Sequence, residues 1–196
     1  AALLAAGAQM GAYNGWERAN WYAHDSDDTS EEATHSWDRR GPWAVRIKEE
    51  VEACRDAAGV LDMPGFSRYT LKGAGAAEWL RCQIAGALPK AGRMNLGYFS
   101  DSRGRIVTEV TIIRFGDDDF MLMTAAVAQW HDFEHLEKLL PTDGSLSLVD
   151  VTRGYSTLLV CGPNSRDSSL EMGIGRSRSS TACSTARRRR WTGPAL

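Results

Sequence analysis

The chain has 196 residues, 43% of them hydrophobic and 24% charged, with a formal net charge of −2. This is the make-up of one soluble globular domain, or one and a half, and it excludes a disordered chain or a collagen. The small net charge hides an asymmetry: residues 170–196 hold six arginines against Glu171 and carry +5, while the residues before them carry −7. An acidic body argues against nucleic acid as the main ligand. No uninterrupted apolar stretch approaches the roughly 20 residues of a bilayer span, so no membrane partner is expected.

The opening AALLAAGAQMG has neither a starting Met nor a basic n-region. It reads as an amphipathic segment of a chain that begins mid-protein, not as a signal peptide. Trp16, Trp21, Trp37 and Trp43 crowd the next stretch around an acidic insert, HDSDDTSEEATHS. Each large ring removes roughly 150–250 Å² from water when buried, so this segment is expected to pack. The insert has no apolar anchor from Asp25 to Glu32 and reads as an exposed loop. From Pro42 the spacing of Ile47, Val51, Cys54 and Ala58 gives one apolar helical face, with Gly59 closing the helix as its C′ residue.

FSRYTLKG then reads as a strand, followed by a second helix carrying Ala77, Leu80 and Ile84 and ending at Gly86 and Pro89. Arg93 to Thr124 reads as three strands joined by the turns Asp101–Gly104 and Gly116–Asp119, an antiparallel meander. A third helix, about Ala126 to Leu140, is expected to turn Trp130, Phe133, Leu136 and Leu140 inward and to stop at Pro141. Leu146 to Val151 and Thr157 to Cys161 read as further strands. Helices interleaved with hairpin-connected strands give the α+β class, an antiparallel sheet with hairpins and packed helices. The Ser/Thr/Arg-rich end, 170–196, reads as a basic low-complexity tail, disordered or non-native.

Four motifs compete for chemistry. Gly73-Ala-Gly75-Ala-Ala-Glu78 imitates a dinucleotide fingerprint, but Glu stands where close helix packing needs a third glycine, and its charge would oppose a pyrophosphate. It reads as a strand-to-helix turn. His131-Asp-Phe-Glu134-His135 matches H-x-x-E-H, yet both histidines fall opposite the apolar face and no third ligand can be named, so they read as a solvated pair and no metal site is assigned. Cys54, Cys82, Cys161 and Cys183 have no CxxC spacing and fit free thiols in a reducing compartment, not a secreted protein. Glu109 lies in RIVTEVTIIRF, whose second half is apolar on both faces. It is either a partly buried acid that must be hydrogen-bonded or have its pKa raised, or a solvent-facing residue on an edge strand, and composition does not separate the two.

The strings GAQMGAYNGWERANWYA (7–23), GVLDMPGFSRYTLKGAGAAEWL (59–80), ALPKAGRMNLGYFSDSRGRIVTEVTIIRF (87–115) and LLVCGPNSR (158–166) together resemble the dimethylglycine and sarcosine dehydrogenase family. The C-terminal half of those enzymes is similar to the glycine cleavage T-protein, a folate-binding aminomethyltransferase. The resemblance implies that residues 1–43 are the end of the central linking region of an FAD-dependent amine dehydrogenase, and that 44–169 are the first half of the folate-binding fold. FAD belongs to an upstream domain outside this chain. The implied function is the folate-binding part of a tetrahydrofolate-dependent N-methyl amine demethylating enzyme, receiving a one-carbon unit in the mitochondrial matrix or cytoplasm. Its implied partners are small-molecule folate and the remainder of its own enzyme.

Glu109 falls on the family's acidic position, where a carboxylate orients the folate amine and assists carbon transfer; T-proteins carry Asp there. Thr124 matches a position beside the ligand. The T-protein tyrosine aligns with Leu96, and Tyr98 stands as its substitute. The resemblance thus implies Glu109 as catalytic residue and Glu109, Thr124 and Tyr98 as folate-binding residues. After Leu170 the family continues into a second lobe that this sequence does not show, so half a pocket is expected. Two alternatives remain: a non-catalytic binding or scaffold module that keeps the fold, and a T-protein-like aminomethyltransferase, disfavoured by Gly15-Trp16-Glu17-Arg18.

Overall fold

A computed structural model gives the fold; it describes residues 2–13, 15–34, 38 and 40–167, and the backbone of 186–187. The expected basic tail over 170–196 lies outside the described residues apart from that short backbone stretch, as does Trp37. The chain divides into two compact units, 1–64 with 156–186, and 65–155 with 187–196. This division falls elsewhere than the module boundary expected between residues 43 and 44. No helix among the described residues is long and apolar enough to cross a membrane.

The first unit opens with a short helix, α1 (Ala2–Ala5), and an antiparallel hairpin of β1 (Ala8–Tyr13) and β2 (Trp16–Tyr22), in which Tyr13 faces Trp16. Trp21 is buried, in line with its expected packing, while Trp16 and Trp43 are only half-buried. The acidic insert is mostly exposed but is not unanchored. Asp27 takes both its carboxylate oxygens to Arg46, at 2.8 and 2.9 Å, and a short α2 (Glu31–Thr34) follows it. Composition foresaw no anchor because it looked for an apolar one.

α3 (Pro42–Asp56) starts with Pro in its first turn, where the missing N–H has no intrahelical partner to lose. The expected apolar face is there in sequence but is not covered: no residue of α3 is fully buried, and Ile47 and Val51 are exposed. Gly59 is not the helix cap either. The helix ends at Asp56, and Gly59 begins β3 (Gly59–Asp62), which pairs antiparallel with β11 (Leu158–Cys161). A Cβ there would overlap the Cys54 sulfur and displace it.

The second unit is built on a six-stranded antiparallel sheet with strand order β5-β6-β7-β8-β4-β9. Its strands are β4 (Phe66–Lys72), β5 (Ile84–Ala85), β6 (Arg93–Ser100), β7 (Ile106–Arg114), β8 (Asp119–Ala125) and β9 (Ser147–Asp150). β6, β7 and β8 form the expected meander, with its turns where the sequence puts them. Asp101 closes the first turn by accepting from the N–H groups of Arg103 and Arg105, and Gly104 sits at φ +75°. α4 (Ala76–Gln83) and α5 (Gln129–Leu139) pack on one face of the sheet. There Tyr69, Leu71, Val110, Ile112, Phe120 and Leu122 meet Ala76, Leu80 and Leu136 in a closed core. β10 (Tyr155–Ser156) follows β9 in the chain.

The Gly73-Ala-Gly75 segment is the strand-to-helix turn that its missing third glycine indicated. Gly75 takes φ +86° as the N-cap of α4, and a Cβ on Gly73 would strike the backbone carbonyl of Ser145. α5 turns Phe133, Leu136 and Leu140 to the core as expected, with Leu139 beside them, but Trp130 is 72% exposed and Asp132 is buried in its stead.

Candidate functional site

Antiparallel pairing puts directly opposed residues on the same face of a sheet. In β6 and β7, Gly97 opposes Val110 and Asn95 opposes Ile112, which sets the helix-covered face. The alternate pairs, Tyr98 with Glu109, Leu96 with Thr111 and Met94 with Ile113, therefore lie on the other face. Glu109 and Tyr98 are immediate cross-strand neighbours in the interior of the sheet. Beside them lies Leu96, 48% exposed.

Glu109 is exposed, and its carboxylate makes no hydrogen bond or ion pair among the described residues. The expectation of a partly enclosed, hydrogen-bonded acid is thus corrected; its solvent-facing alternative holds, though on a strand between β6 and β8 and not at the sheet edge. The physical reason is the phase of the strand. Val110 and Ile112 are buried in alternation, Ile113 breaks the pattern by being buried as well, and Glu109 precedes that break. The apolar second half of RIVTEVTIIRF says nothing about the surroundings of its first half.

Thr124 is not brought to this face. It pairs with Ser67, and both are buried on the helix-covered side, next to Tyr69. The Tyr69 hydroxyl donates to the carbonyl of Gln129 at 2.7 Å, and burial pushes its phenol up against the lowering effect of the Ser67 and Thr124 hydroxyls. Of the three site residues read from sequence, the structure unites Glu109 and Tyr98 and sets Thr124 behind the sheet.

Two residues that sequence reasoning missed are buried and charged. Arg68 opposes Met123, which opposes Thr111, so it lies on the Glu109 face two strands away; its Nη1 donates to the Phe66 carbonyl at 2.9 Å. Asp132 on α5 accepts from Thr108 Oγ1 at 3.1 Å and from His131 Nδ1 at 3.0 Å. Neither carries a sequence signal, since a lone Arg in a strand or Asp in a helix reads as surface. The histidine pair is also not wholly solvated. His135 is half-buried, edge-on to Phe99 with ring centroids 6.2 Å apart, and burial, with His131 adding to it, pushes its pKa down. Among the described residues no three metal-ligating side chains are grouped to hold an ion.

A concavity lies in the first unit, an open depression of about 280 Å³ lined by Tyr22, His24, Arg46, Glu49, Glu50 and Ala53. Burial raises the Tyr22 phenol, with Asp62 and Glu50 adding to it, and burial also raises Glu50. Glu49 is paired there with Arg46.

Comparison with known proteins fits this architecture. A mitochondrial dimethylglycine dehydrogenase from Mus musculus is 27% identical over 158 residues, which is 80% of this chain and 18% of that protein. A 4-methylaminobutanoate oxidase (formaldehyde-forming) from Paenarthrobacter nicotinovorans is 30% identical over 170 residues, 85% of this chain and 20% of the oxidase. The chain thus spans about a fifth of the length of these relatives. The crystal structure of the glycine cleavage system aminomethyltransferase T from Bartonella henselae superposes with a TM-score of 0.71 at 21% identity, covering 90% of this chain and 43% of that one. At that identity the likeness speaks for the fold, and it agrees with the α+β arrangement of hairpins and helices. The GCVT N-terminal domain family model matches residues 1–174, and the chain belongs to that family.

Proposed function

We propose that this chain is the folate-binding part of a tetrahydrofolate-dependent enzyme that demethylates N-methyl amines, with the ligand held against the sheet face bearing Glu109 and Tyr98. The observation that carries this is the direct opposition of Glu109 and Tyr98 on a sheet face away from α4 and α5, in a chain similar to a dimethylglycine dehydrogenase and a 4-methylaminobutanoate oxidase. The residues fit a pteridine in kind: Leu96 offers an apolar ledge, Tyr98 a phenol, and Glu109 an uncommitted carboxylate for an N–H-rich ring edge. Bound tetrahydrofolate would supply a nucleophilic ring nitrogen to receive the one-carbon unit. Glu109 would orient that nitrogen and take its proton, work that needs a carboxylate within hydrogen-bond reach. Tyr98, anchored beside it by the strand pairing, would limit where the ring can sit. Thr124 acts from behind the sheet in this reading, as part of the interior that fixes β8.

Residues 1–43 are, in the same proposal, the end of a linking region and 44–169 part of the folate-binding domain, with FAD chemistry confined to a further domain. The remainder of the enzyme is the partner that closes the site over Glu109, and the mitochondrial naming of the mouse relative supports a mitochondrial setting. A second reading is a non-catalytic module keeping the fold. It is favoured by the exposure of Glu109, since a proton-transfer acid works best in a dry, preorganised setting. T-protein-like aminomethyl transfer is supported equally by the superposition. Calorimetric titration of tetrahydrofolate into the chain and into Glu109→Ala separates the first two readings. The proposal expects at least a tenfold weaker affinity in the variant. Equal binding, or none in either protein, rejects the site.

A further inference from the structure

Cys54 and Cys161 are 107 positions apart in sequence and meet within the first unit. Cys161 pairs with Gly59 across β11 and β3, and its sulfur donates to the Gly59 carbonyl at 3.8 Å. Cys54, one turn from the end of α3, sits against the same glycine, whose α-carbon has no room for a side chain because the Cys54 sulfur occupies that space. The next residue closes the contact: a Cβ on Gly162, at φ +105°, would lie 2.5 Å from the Ala57 carbonyl oxygen and 2.8 Å from that of Cys54. The Asn164 N–H donates to Ala57 at 2.8 Å. Two glycines and a backbone hydrogen bond therefore press β11 onto the end of α3 at the point where the two thiols face each other. Both cysteines are half-buried and free.

We infer that Cys54 and Cys161 are an oxidisable pair, which a low-molecular-weight disulfide such as glutathione disulfide converts to an intrachain disulfide stapling the two separate stretches of the first unit. The neighbouring Cys161, burial and Glu50 hold the Cys54 thiol above its ordinary range. The Cys161 thiolate attacks one sulfur of glutathione disulfide, breaking its S–S bond and releasing one glutathione thiolate. The Cys54 sulfur then attacks Cys161 Sγ in the mixed disulfide, forming the protein S–S bond and expelling the second thiolate. Two cysteine S–H bonds are lost, two glutathione thiols are gained, and the sulfurs exchange two electrons. Closure to the ~2.0 Å bond needs a small approach of α3 and β11, which are already in backbone contact.

The test incubates the whole chain with excess glutathione disulfide, blocks remaining thiols with iodoacetamide, and maps tryptic peptides without reduction. The expected product is a linked pair of the Cys54 peptide (49–55) and the Cys161 peptide (154–166) that separates on reduction, with the Cys82 peptide unlinked. Cys54→Ser is expected to accumulate glutathione on Cys161, and the oxidised wild type to melt several degrees above the reduced one, because the bond closes a loop of roughly a hundred residues. Linkage through Cys82 or Cys183, or glutathione carried separately by Cys54 and Cys161, overturns the inference. Should Cys54→Ser fail to fold, the wild-type peptide map decides alone.

Discussion

The two compact units hold themselves together by different means. In the second, strand alternation feeds one continuous apolar core: Leu71, Val110, Ile112, Phe120, Leu122 and Leu136 are all withdrawn from water beneath α4 and α5. In the first, Val51, Val60, Leu61, Leu158 and Leu159 remain exposed, and the structure rests on polar and backbone ties: Arg46 to Asp27 and Glu49, Met63 to Thr157, and Asn164 to Ala57. The difference teaches that an amphipathic pattern fixes an element's type without fixing what covers it. The sharpest way to break the comparison is to make the same kind of truncation in each unit. Leu122→Ala removes a fully buried side chain and is expected to cost about 2–5 kcal/mol through lost transfer energy and a residual cavity. Leu159→Ala, at a half-exposed position, is expected to stay within about 0.5 kcal/mol. Urea unfolding of both variants reads the contrast, and equal losses would show that the first unit has a core of its own.

Next in size is the buried acid. Asp132 is fully enclosed and accepts from Thr108 and His131, so Asp132→Ala removes both hydrogen bonds and is expected to cost about 1–3 kcal/mol. Asp132→Asn, which keeps one acceptor, should lose less. The measurement also tests the one departure of α5 from its expected face. Phe133, Leu136 and Leu140 pack on the core as their spacing indicates, but Trp130 is exposed and Asp132 is buried, where β7, 24 residues earlier, offers it a hydroxyl that no local pattern reveals. By contrast, the β6–β7–β8 meander was legible throughout, since alternation and turn chemistry are both local: Asp101 and Gly104 carry their turn without help from distant residues. The candidate site was half legible. Strand phase determines that Tyr98 and Glu109 share a face, but whether that face is covered depends on chain far away in sequence. Thr124 was assigned by resemblance to a ligand position, and the register puts it on the opposite side.

The first unit's polar ties include an acid-sensitive one. Asp27 is held down to about 2 by its hydrogen bonds to Arg46 and the His24 N–H. A depressed carboxyl contributes stability that is complete above its unfolded value near 4 and is lost as pH falls through about 2. Acid titration of wild type should therefore show an unfolding limb between about pH 4 and 2 that is shallower in Arg46→Ala, where Asp27 titrates closer to its ordinary value. The direction is diagnostic, because a limb unchanged by the substitution would place the acid sensitivity in other carboxylates. Glu49 remains paired with nothing else in that variant and adds little, being largely exposed.

The smallest stability effect belongs to the residue on which the functional proposal depends most. The Glu109 carboxylate makes no hydrogen bond or ion pair among the described residues and lies exposed on an interior strand. Glu109→Gln keeps its shape and removes only a solvated charge, so its unfolding midpoint should match wild type to within about 0.5 kcal/mol. A larger loss would mean that the carboxylate has a structural partner, and the case for a free acid awaiting a ligand would fail. If stability is unchanged while tetrahydrofolate affinity falls, the carboxylate is held in reserve for binding.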